Sequence, residues 1–356
     1  MSKPLVTHVL WTLGRGGAER MTFDLARRLP GAGFDVRVIA AGGGGGMERD
    51  LEEAGIAYAT SPRPGSRRAA LALLRDEIRA RKPALWHTHL TPVWAGLAAR
   101  SFGLRPWVAT VHGFEADLPW PVRAARGLAY RAADHVVCVS QAVRASMADT
   151  LGPRDVSVIP PGIDVARFVP REPRLAGDVP ELLAVARLVP EKGLDVLFEA
   201  LSGLLRPWRL TVVGSGPEEQ ALRRQAEWLG MLPRVRFAGA VEDPAPFYRR
   251  ADLFCFPSRS EGQGMALLEA SACHVPAVAS DLPAIREAFR GDAVAYARPG
   301  DAGSWRVAIE RALARYPEAL ARAERASRIV HDRYSLDAMV VAHAALYRKL
   351  LGKAKL

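Results

Sequence analysis

Two glutamates, Glu261 and Glu269, stand in the segment Ser258-Arg259-Ser260-Glu261-Gly262-Gln263-Gly264-Met265-Ala266-Leu267-Leu268-Glu269-Ala270, directly after an apolar run that reads as a strand. Ligands of open α/β sheets sit outside the carboxyl ends of strands, so such a loop is the first place to look for chemistry. Glu261 falls in the glycine-flanked loop and Glu269 about one turn into the following helix, so both can face one crevice. The helix N-terminus there suits a phosphate, and a carboxylate that accepts two vicinal hydroxyls suits a ribose. As a bare spacing, E-x7-E is common by chance. A second post-strand loop places Arg187 and Lys192 around a strand end and a helix start. Charge-assisted hydrogen bonds from two cations would hold a diphosphate and neutralise it as it departs. Standing alone, the pair reads equally as solubilising charge.

Two glycine-rich loops test a different chemistry. In Gly14-Arg15-Gly16-Gly17-Ala18-Glu19 the third position of the dinucleotide fingerprint G-x-G-x-x-G is Glu19, and Gly214-Ser215-Gly216-Pro217-Glu218-Glu219 breaks it in the same way. A nicotinamide oxidoreductase is therefore disfavoured. Glycines before a helix still let backbone N–H groups approach a phosphate or sugar in the first loop, where a tight turn is the competing reading. The glutamates of the second loop would repel a phosphate, so that segment is read as structural. His87 and His89 alternate at a strand end; only one of them is expected to face a crevice, and both are read as structural rather than as a metal pair.

These motifs, in order, resemble the retaining glycosyltransferases of family 4, which have the GT-B fold. The resemblance is carried by Glu261 and Glu269 with Gly16-Gly17-Ala18-Glu19-Arg20, Val111-His112-Gly113, Val139-Ser140, Pro161-Gly162-Ile163-Asp164, Arg187, Lys192-Gly193, Gly214 to Pro217 and Ala272 to Pro276. It implies that Arg187 and Lys192 bind the diphosphate of a UDP-, GDP- or ADP-sugar donor, Glu269 its ribose and Glu261 hydroxyls of the transferred sugar. Gly262, Gly264 and Met265 would line the donor site, and Gly16 and Gly17 would approach the donor from the other domain. A histidine placed like His112 sits near the reacting sugar in the family, so His112, Glu261, Arg187 and Lys192 are the implied catalytic set. A strand-end histidine satisfied by backbone is the other reading of His112. No Asp-x-Asp motif occurs, and no metal or cofactor is expected beyond the donor itself. The chain departs from the family pattern at Pro161, at Gln263, at His274 in a helix-ending position that needs positive φ, and in Asp281-Leu282-Pro283-Ala284-Ile285, which lacks a Gly-Gly.

The elements that would position these residues follow from hydrophobic period. Leu5-Trp11, Asp35-Ala41, Ala84-Thr88, Pro106-His112 and His135-Ser140 read as strands alternating with helices such as Ala18-Leu29 and Arg67-Arg81. The rhythm restarts with Leu182-Arg187, Leu210-Gly214, Val235-Ala238, Leu253-Pro257 and Val275-Ala279. This predicts an α/β protein with two Rossmann-like parallel-sheet domains facing across a cleft. Proline density from Pro160 to Pro180 marks the boundary. The domains expected are 1–165 for the acceptor, 166–335 for the donor, and a C-terminal helix, 336–356, crossing back to the first. Gly42 to Gly46 is expected as a mobile loop.

The chain has 356 residues, with 49 Lys plus Arg against 38 Asp plus Glu, a net charge of +11. No run of three Lys/Arg occurs, which argues against a nucleic-acid partner. The three cysteines are scattered, which fits a reducing compartment, and neither a signal peptide nor a membrane span is read. Basic residues crowd Tyr58 to Phe114, and Trp86, Trp94, Trp107 and Trp120 lie in or near that stretch. Together these predict a cytoplasmic enzyme, peripheral on the inner face of an anionic membrane, transferring sugar to a glycan or lipid-linked acceptor in envelope polysaccharide or glycolipid synthesis. A core role for the tryptophans is the alternative. The competing functions are a non-catalytic sugar-nucleotide-binding protein of the same fold, or a sugar phosphorylase or synthase.

Overall fold

The computed structural model describes residues 3–89, 93–114, 119–152, 155–170 and 177–353. The chain forms two compact units, one of residues 1–162 with 336–356 and the other of residues 163–335. The division falls between Gly162 and Ile163 rather than after residue 165. Ile163 already bonds within the second unit, where its N–H donates to the Tyr334 carbonyl at 2.7 Å.

The first unit runs β1 (Leu5–Leu10), α1 (Gly17–Arg28), β2 (Asp35–Ala40), α2 (Glu48–Glu53), β3 (Ala57–Thr60), α3 (Arg67–Arg81), β4 (Leu85–His89), α4 (Val93–Ser101), β5 (Trp107–Val111), α5 (Trp120–Ala132), β6 (His135–Cys138), α6 (Gln141–Ser146), α7 (Ala148–Leu151) and β7 (Val156–Val158). The second continues with β8 (Glu181–Val185), α8 (Leu194–Ser202), β9 (Arg209–Val213), α9 (Glu219–Trp228), β10 (Val235–Gly239), α10 (Ala245–Arg250), β11 (Leu253–Phe256), α11 (Met265–Ala272), β12 (Ala277–Ser280), α12 (Pro283–Ala288), β13 (Ala295–Ala297), α13 (Ala302–Ala314) and α14 (Tyr316–Arg333). The last helix, α15 (Leu336–Lys353), belongs to the first unit, where Arg348 donates to the Ala32 carbonyl and Tyr347 is wholly buried.

Every strand pairing is parallel. The sheet orders are β3-β2-β1-β4-β5-β6-β7 and β10-β9-β8-β11-β12-β13, so both units are doubly wound. Strands β4, β5, β6 and β11 are buried along their whole length, as parallel strands covered on both faces must be. In each sheet the order reverses beside the unit's first strand, between β1 and β4 and between β8 and β11. Connections leave in opposite directions at such a point and open a crevice at the strand ends. The loop from Gly14 to Glu19, the loop with Arg187 and Lys192, and the loop with Glu261 lie at these two places.

The glycine tract Gly42 to Gly46 is not a loose loop. Gly42 and Gly43 are buried, Gly42 donates to the Trp11 carbonyl, and Gly45 pairs with Leu13 in an isolated bridge. A Cβ on Gly42 would stand 2.3 Å from the Trp11 indole and one on Gly45 2.2 Å from the Leu13 carbonyl oxygen. Glycine is needed here for close approach, because the tract packs flat against the turn that leads from β1 into α1.

Candidate active site

In the second unit, two loops flank the reversal point. The first leaves β8, carries Arg187, passes through one turn of 3-10 helix over Pro190–Lys192, and enters α8 at Gly193. The second leaves β11, carries Glu261, and enters α11 at Gly264. Gly193 has φ +63 and Gly264 φ +82, conformations that cost an L side chain about 1–2 kcal/mol. Neither N-cap residue offers a side chain, but at α8 the first-turn Asp195 carboxylate accepts from the N–H groups of Asp195 and Val196, so the open positive edge is the one at α11.

The two loops are stitched together. The Arg259 N–H donates to the Glu191 carbonyl at 2.8 Å, and its guanidinium donates to the Pro190 carbonyl at 2.6 Å and as a fork to Asp195 at 2.8 and 2.7 Å. These bonds hold the Asp195 carboxyl below the usual carboxylate range. Lys192 is ion-paired to Glu261 Oε1, which also accepts from the Ser258 hydroxyl at 2.9 Å. Arg187, by contrast, is exposed, and its guanidinium makes no hydrogen bond or ion pair among the described residues. Glu269 lies one turn into α11 and accepts a hydrogen bond on Oε2 from the Tyr248 hydroxyl at 2.8 Å. Burial, and then the adjacent Glu269 carboxylate, push the Tyr248 phenol well above its ordinary pKa, so it stays a donor. The segment Gly214 to Glu218 supports the first loop from behind: Leu188 N–H donates to Ser215 and Leu188 accepts from Glu218. Arg187, Lys192, Glu261, Gly262, Gly264, Met265 and Glu269 are thus gathered on two adjoining loops and the helices they open.

In the first unit, Gly16 caps α1 and Gly17 begins it, with Glu19 folded back over the turn so that a Cβ on Gly16 would meet its Oε2 at 2.5 Å. His112 lies just past β5 and is half-buried; its Nε2 is 3.1 Å from Nδ1 of His89, so a side chain and not backbone satisfies it. His87 and His89 are both fully buried, and the expectation that they point to opposite faces is corrected. Residues i and i+2 of a strand share a face, and their rings lie 4.0 Å apart. His8 on β1, in register with His87, joins them, with its Nδ1 3.1 Å from His89 Nε2. His8, His87 and His89 are the one set of side chains among the described residues with donor atoms close enough to hold a metal ion, all within 4.8 Å of one another.

Residues 15–167 match Glycosyltransferase Family 4, and residues 179–315 match Glycosyl transferases group 1. A GDP-mannose-dependent alpha-(1-6)-phosphatidylinositol monomannoside mannosyltransferase of Mycolicibacterium smegmatis is 33% identical over 280 residues, 69% of this chain and 72% of the relative. The chain belongs to the family 4 glycosyltransferases. A D-inositol 3-phosphate glycosyltransferase of Kineococcus radiotolerans is 35% identical over 204 residues, 50% of this chain and 47% of that one. Among solved structures, Anabaena HepE in complex with UDP-glucose superposes with a TM-score of 0.86 over 98% of this chain and 100% of that one, at 21% identity. That likeness concerns the fold, and the glycosyltransferase accordingly has the GT-B fold.

Three features of the glycosyltransferase lie beyond reading by spacing. Tyr248 reaches Glu269 from α10, outside any motif, and Arg259, though within the Ser258–Ala270 segment, shows no sign in sequence that it ties its own loop to the one before α8. The tryptophans also divide differently from expectation. Trp86 and Trp107 are core residues, and Trp94 packs edge-on against Trp11 at 5.8 Å, whereas Trp120 at the start of α5 is 72% exposed. His274 does adopt positive φ, +58, at the end of α11. No helix among the described residues is long and apolar enough to cross a membrane.

Proposed function

We propose that this glycosyltransferase is retaining, takes a nucleotide-diphosphate sugar as donor, and delivers the sugar to a glycan or lipid-linked acceptor at an anionic membrane surface. The observation that carries the reading is the pairing of Lys192 with Glu261 between the starts of α8 and α11, beside the unpaired Arg187. A diphosphate placed there meets two cations and the first-turn N–H groups of α11, which is an arrangement that stabilises a departing dianion. Lys192 then exchanges a carboxylate for phosphate oxygens, and Glu261 is released to accept sugar hydroxyls. Glu269, oriented by Tyr248, takes the ribose; for His112, the family resemblance implies a contact with the transferred sugar. Same-face attack lets the leaving phosphate accept the proton of the incoming hydroxyl, so no covalent nucleophile is needed. The relatives that act on inositol-bearing acceptors favour a polyol-phosphate or glycolipid acceptor.

For the membrane, the supporting face is the exposed side of α3, α4 and α5. Arg67, Arg68, Arg75 and Arg79 are exposed on α3, and Trp120, Val122 and Leu128 are exposed on α5. Apolar side chains that enter the headgroup region beside cations that meet anionic lipid are the usual chemistry of peripheral binding.

The reading is tested by turnover of UDP-, GDP- and ADP-sugars in chelator, with the anomeric configuration of the product followed by NMR. Turnover in chelator with retained configuration is expected. Arg187→Ala and Lys192→Ala should each lower kcat by on the order of 10²–10³. An inverted product, activity that only Mg²⁺ or Mn²⁺ restores, or wild-type kinetics in both variants would refute it.

A further inference from the structure

We propose that His89 and His8 act as positioning residues that hold His112 in one tautomer, with its proton on Nδ1, so that the nitrogen left for a ligand donates a hydrogen bond to an oxygen. The proposal deepens the reading above and rests on it only for the identity of that oxygen as one of the transferred sugar.

Three imidazoles form a line from the carboxyl end of β5 across β4 to β1. His112 Nε2 meets His89 Nδ1 at 3.1 Å, and His89 Nε2 meets His8 Nδ1 at 3.1 Å. The line ends at His8 Nε2, which is buried; among the described residues neither it nor His112 Nδ1 has a hydrogen-bond partner. Burial lowers the pKa of all three rings, those of His8 and His112 to about 3, so each carries a single ring proton at neutral pH.

Counting protons then leaves two arrangements. Each N···N link needs one proton, and three neutral rings supply three, so the third sits at one end of the line. It is either on His8 Nε2, as a buried N–H with no acceptor, or on His112 Nδ1. Orphaned buried N–H groups are the rarer defect in folded proteins; a bare acceptor is better tolerated. Trp86 Nε1–H is one such orphan in this core, fixed there because an indole has no other tautomer, whereas the imidazole whose tautomer is set by its partner leaves a bare acceptor. His343 on α15 must donate from Nδ1, because its partner at 3.0 Å is the Met339 carbonyl, and its Nε2 is left as a bare, buried lone pair.

His87 does not offer His8 a way out. Its Nδ1 is 2.6 Å from the Tyr347 hydroxyl on α15 and its Nε2 2.7 Å from Thr110 Oγ1, so both nitrogens are engaged. The proton therefore rests on His112 Nδ1. His112 cannot take a proton from an acceptor hydroxyl unless the whole line flips and strands an N–H on His8. It serves as a donor that places a sugar oxygen, not as a general base, which agrees with the departing phosphate taking the proton.

The test is a long-range ¹H–¹⁵N correlation spectrum of the ¹⁵N-labelled full chain at neutral pH, with His112 assigned by its loss in His112→Gln. The expected result is a protonated Nδ1 and an unprotonated Nε2 on His112. His89→Phe, which removes the link, should release the ring to the Nε2–H form that free histidine prefers. His89→Asn, whose amide N–H can replace the Nδ1 donor, should restore the original tautomer. Nucleotide affinity should stay constant across both variants, while kcat falls about tenfold in His89→Phe and recovers in His89→Asn. A wild-type His112 protonated on Nε2, an unchanged tautomer in His89→Phe, or a stoichiometric metal on His8 and His89 in the purified protein would overturn the proposal. If the tautomers behave as stated and turnover does not change, the lock stands, and the placing of His112 at the sugar is what fails.

Discussion

Replacing Gly193 by alanine separates two costs that the structure allows to be measured apart. The residue has φ +63, and a Cβ there would stand 2.2 Å from the Pro257 carbonyl oxygen. Gly230, just past α9, has φ +65 with nothing within 4 Å of its would-be Cβ, so Gly230→Ala carries the backbone strain alone. That strain is about 1–2 kcal/mol for an L residue in the left-handed region. Overpacking adds about 1–3 kcal/mol, so Gly193→Ala should lose about 2–5 kcal/mol and Gly230→Ala about 1–2 kcal/mol. The geometry also predicts a loss of function. Real Cβ contacts do not fall below 3.0 Å, so the loop carrying Lys192 and the loop carrying Glu261 must separate by 3.0 − 2.2 = 0.8 Å or more. A misplacement near 1 Å at reacting groups costs up to about 10²-fold in rate. Urea unfolding followed by tryptophan fluorescence gives the first quantity and steady-state nucleotide release the second. If Gly193→Ala is no less stable than Gly230→Ala and turns over at the wild-type rate, the two loops are not held together as described.

Tyr248→Phe deletes only the hydroxyl that bonds Glu269. A hydrogen bond to a charged group contributes about 1.5–3 kcal/mol, so nucleotide affinity by calorimetry should fall at least about tenfold, with kcat at saturating donor little changed; unaltered affinity would remove Tyr248 from the site. Acid should destabilise the first unit, because burial lowers His8 to about 3 and His343 to about 4, and the unfolded chain binds protons near pH 6.5 that the folded chain does not. Stability therefore rises with pH up to about 6.5 and is lost below it, by about 2 kcal/mol per imidazole between pH 7 and pH 5. A flat urea midpoint over that range would count against buried neutral rings. In liposome flotation, recovery should need anionic lipid and should drop both when Arg67, Arg68, Arg75 and Arg79 are changed to Gln and in Trp120→Ser. Equal recovery with neutral vesicles would point to a soluble acceptor.

Much of this protein is legible from one dimension, because the relevant physics is local. Alternation of apolar runs with helical period marks the inner strands and the helices between them, and Arg67–Arg81 is helical over the range its period indicates. Proline density near Pro160 locates the division between units, since proline removes a donor that a helix or inner strand requires. The candidate-site motifs each sit on a loop directly after a strand, a position that is itself a sequence property, so Arg187, Lys192, Glu261 and Glu269 could be singled out together. The short edge strands β3, β7 and β13 escape the period, having three or four residues and partly exposed side chains.

Only the tertiary structure decides which distant groups share a proton or a hydrogen bond. His8 and His89 are 81 positions apart and His87 and Tyr347 are 260 apart, yet each pair is in hydrogen-bond contact, because β1 and β4 are neighbours at the point where the sheet order reverses and α15 returns to cover them. Neither the adjacency of two parallel strands nor the return of a helix leaves a mark in local period. The same holds for Tyr248 on Glu269, for the glycine tract lying flat against Trp11, and for the burial of Trp86 and Trp107. A residue's type and its neighbours in sequence state what it can do chemically; which partner satisfies it depends on chain crossings that the fold alone creates.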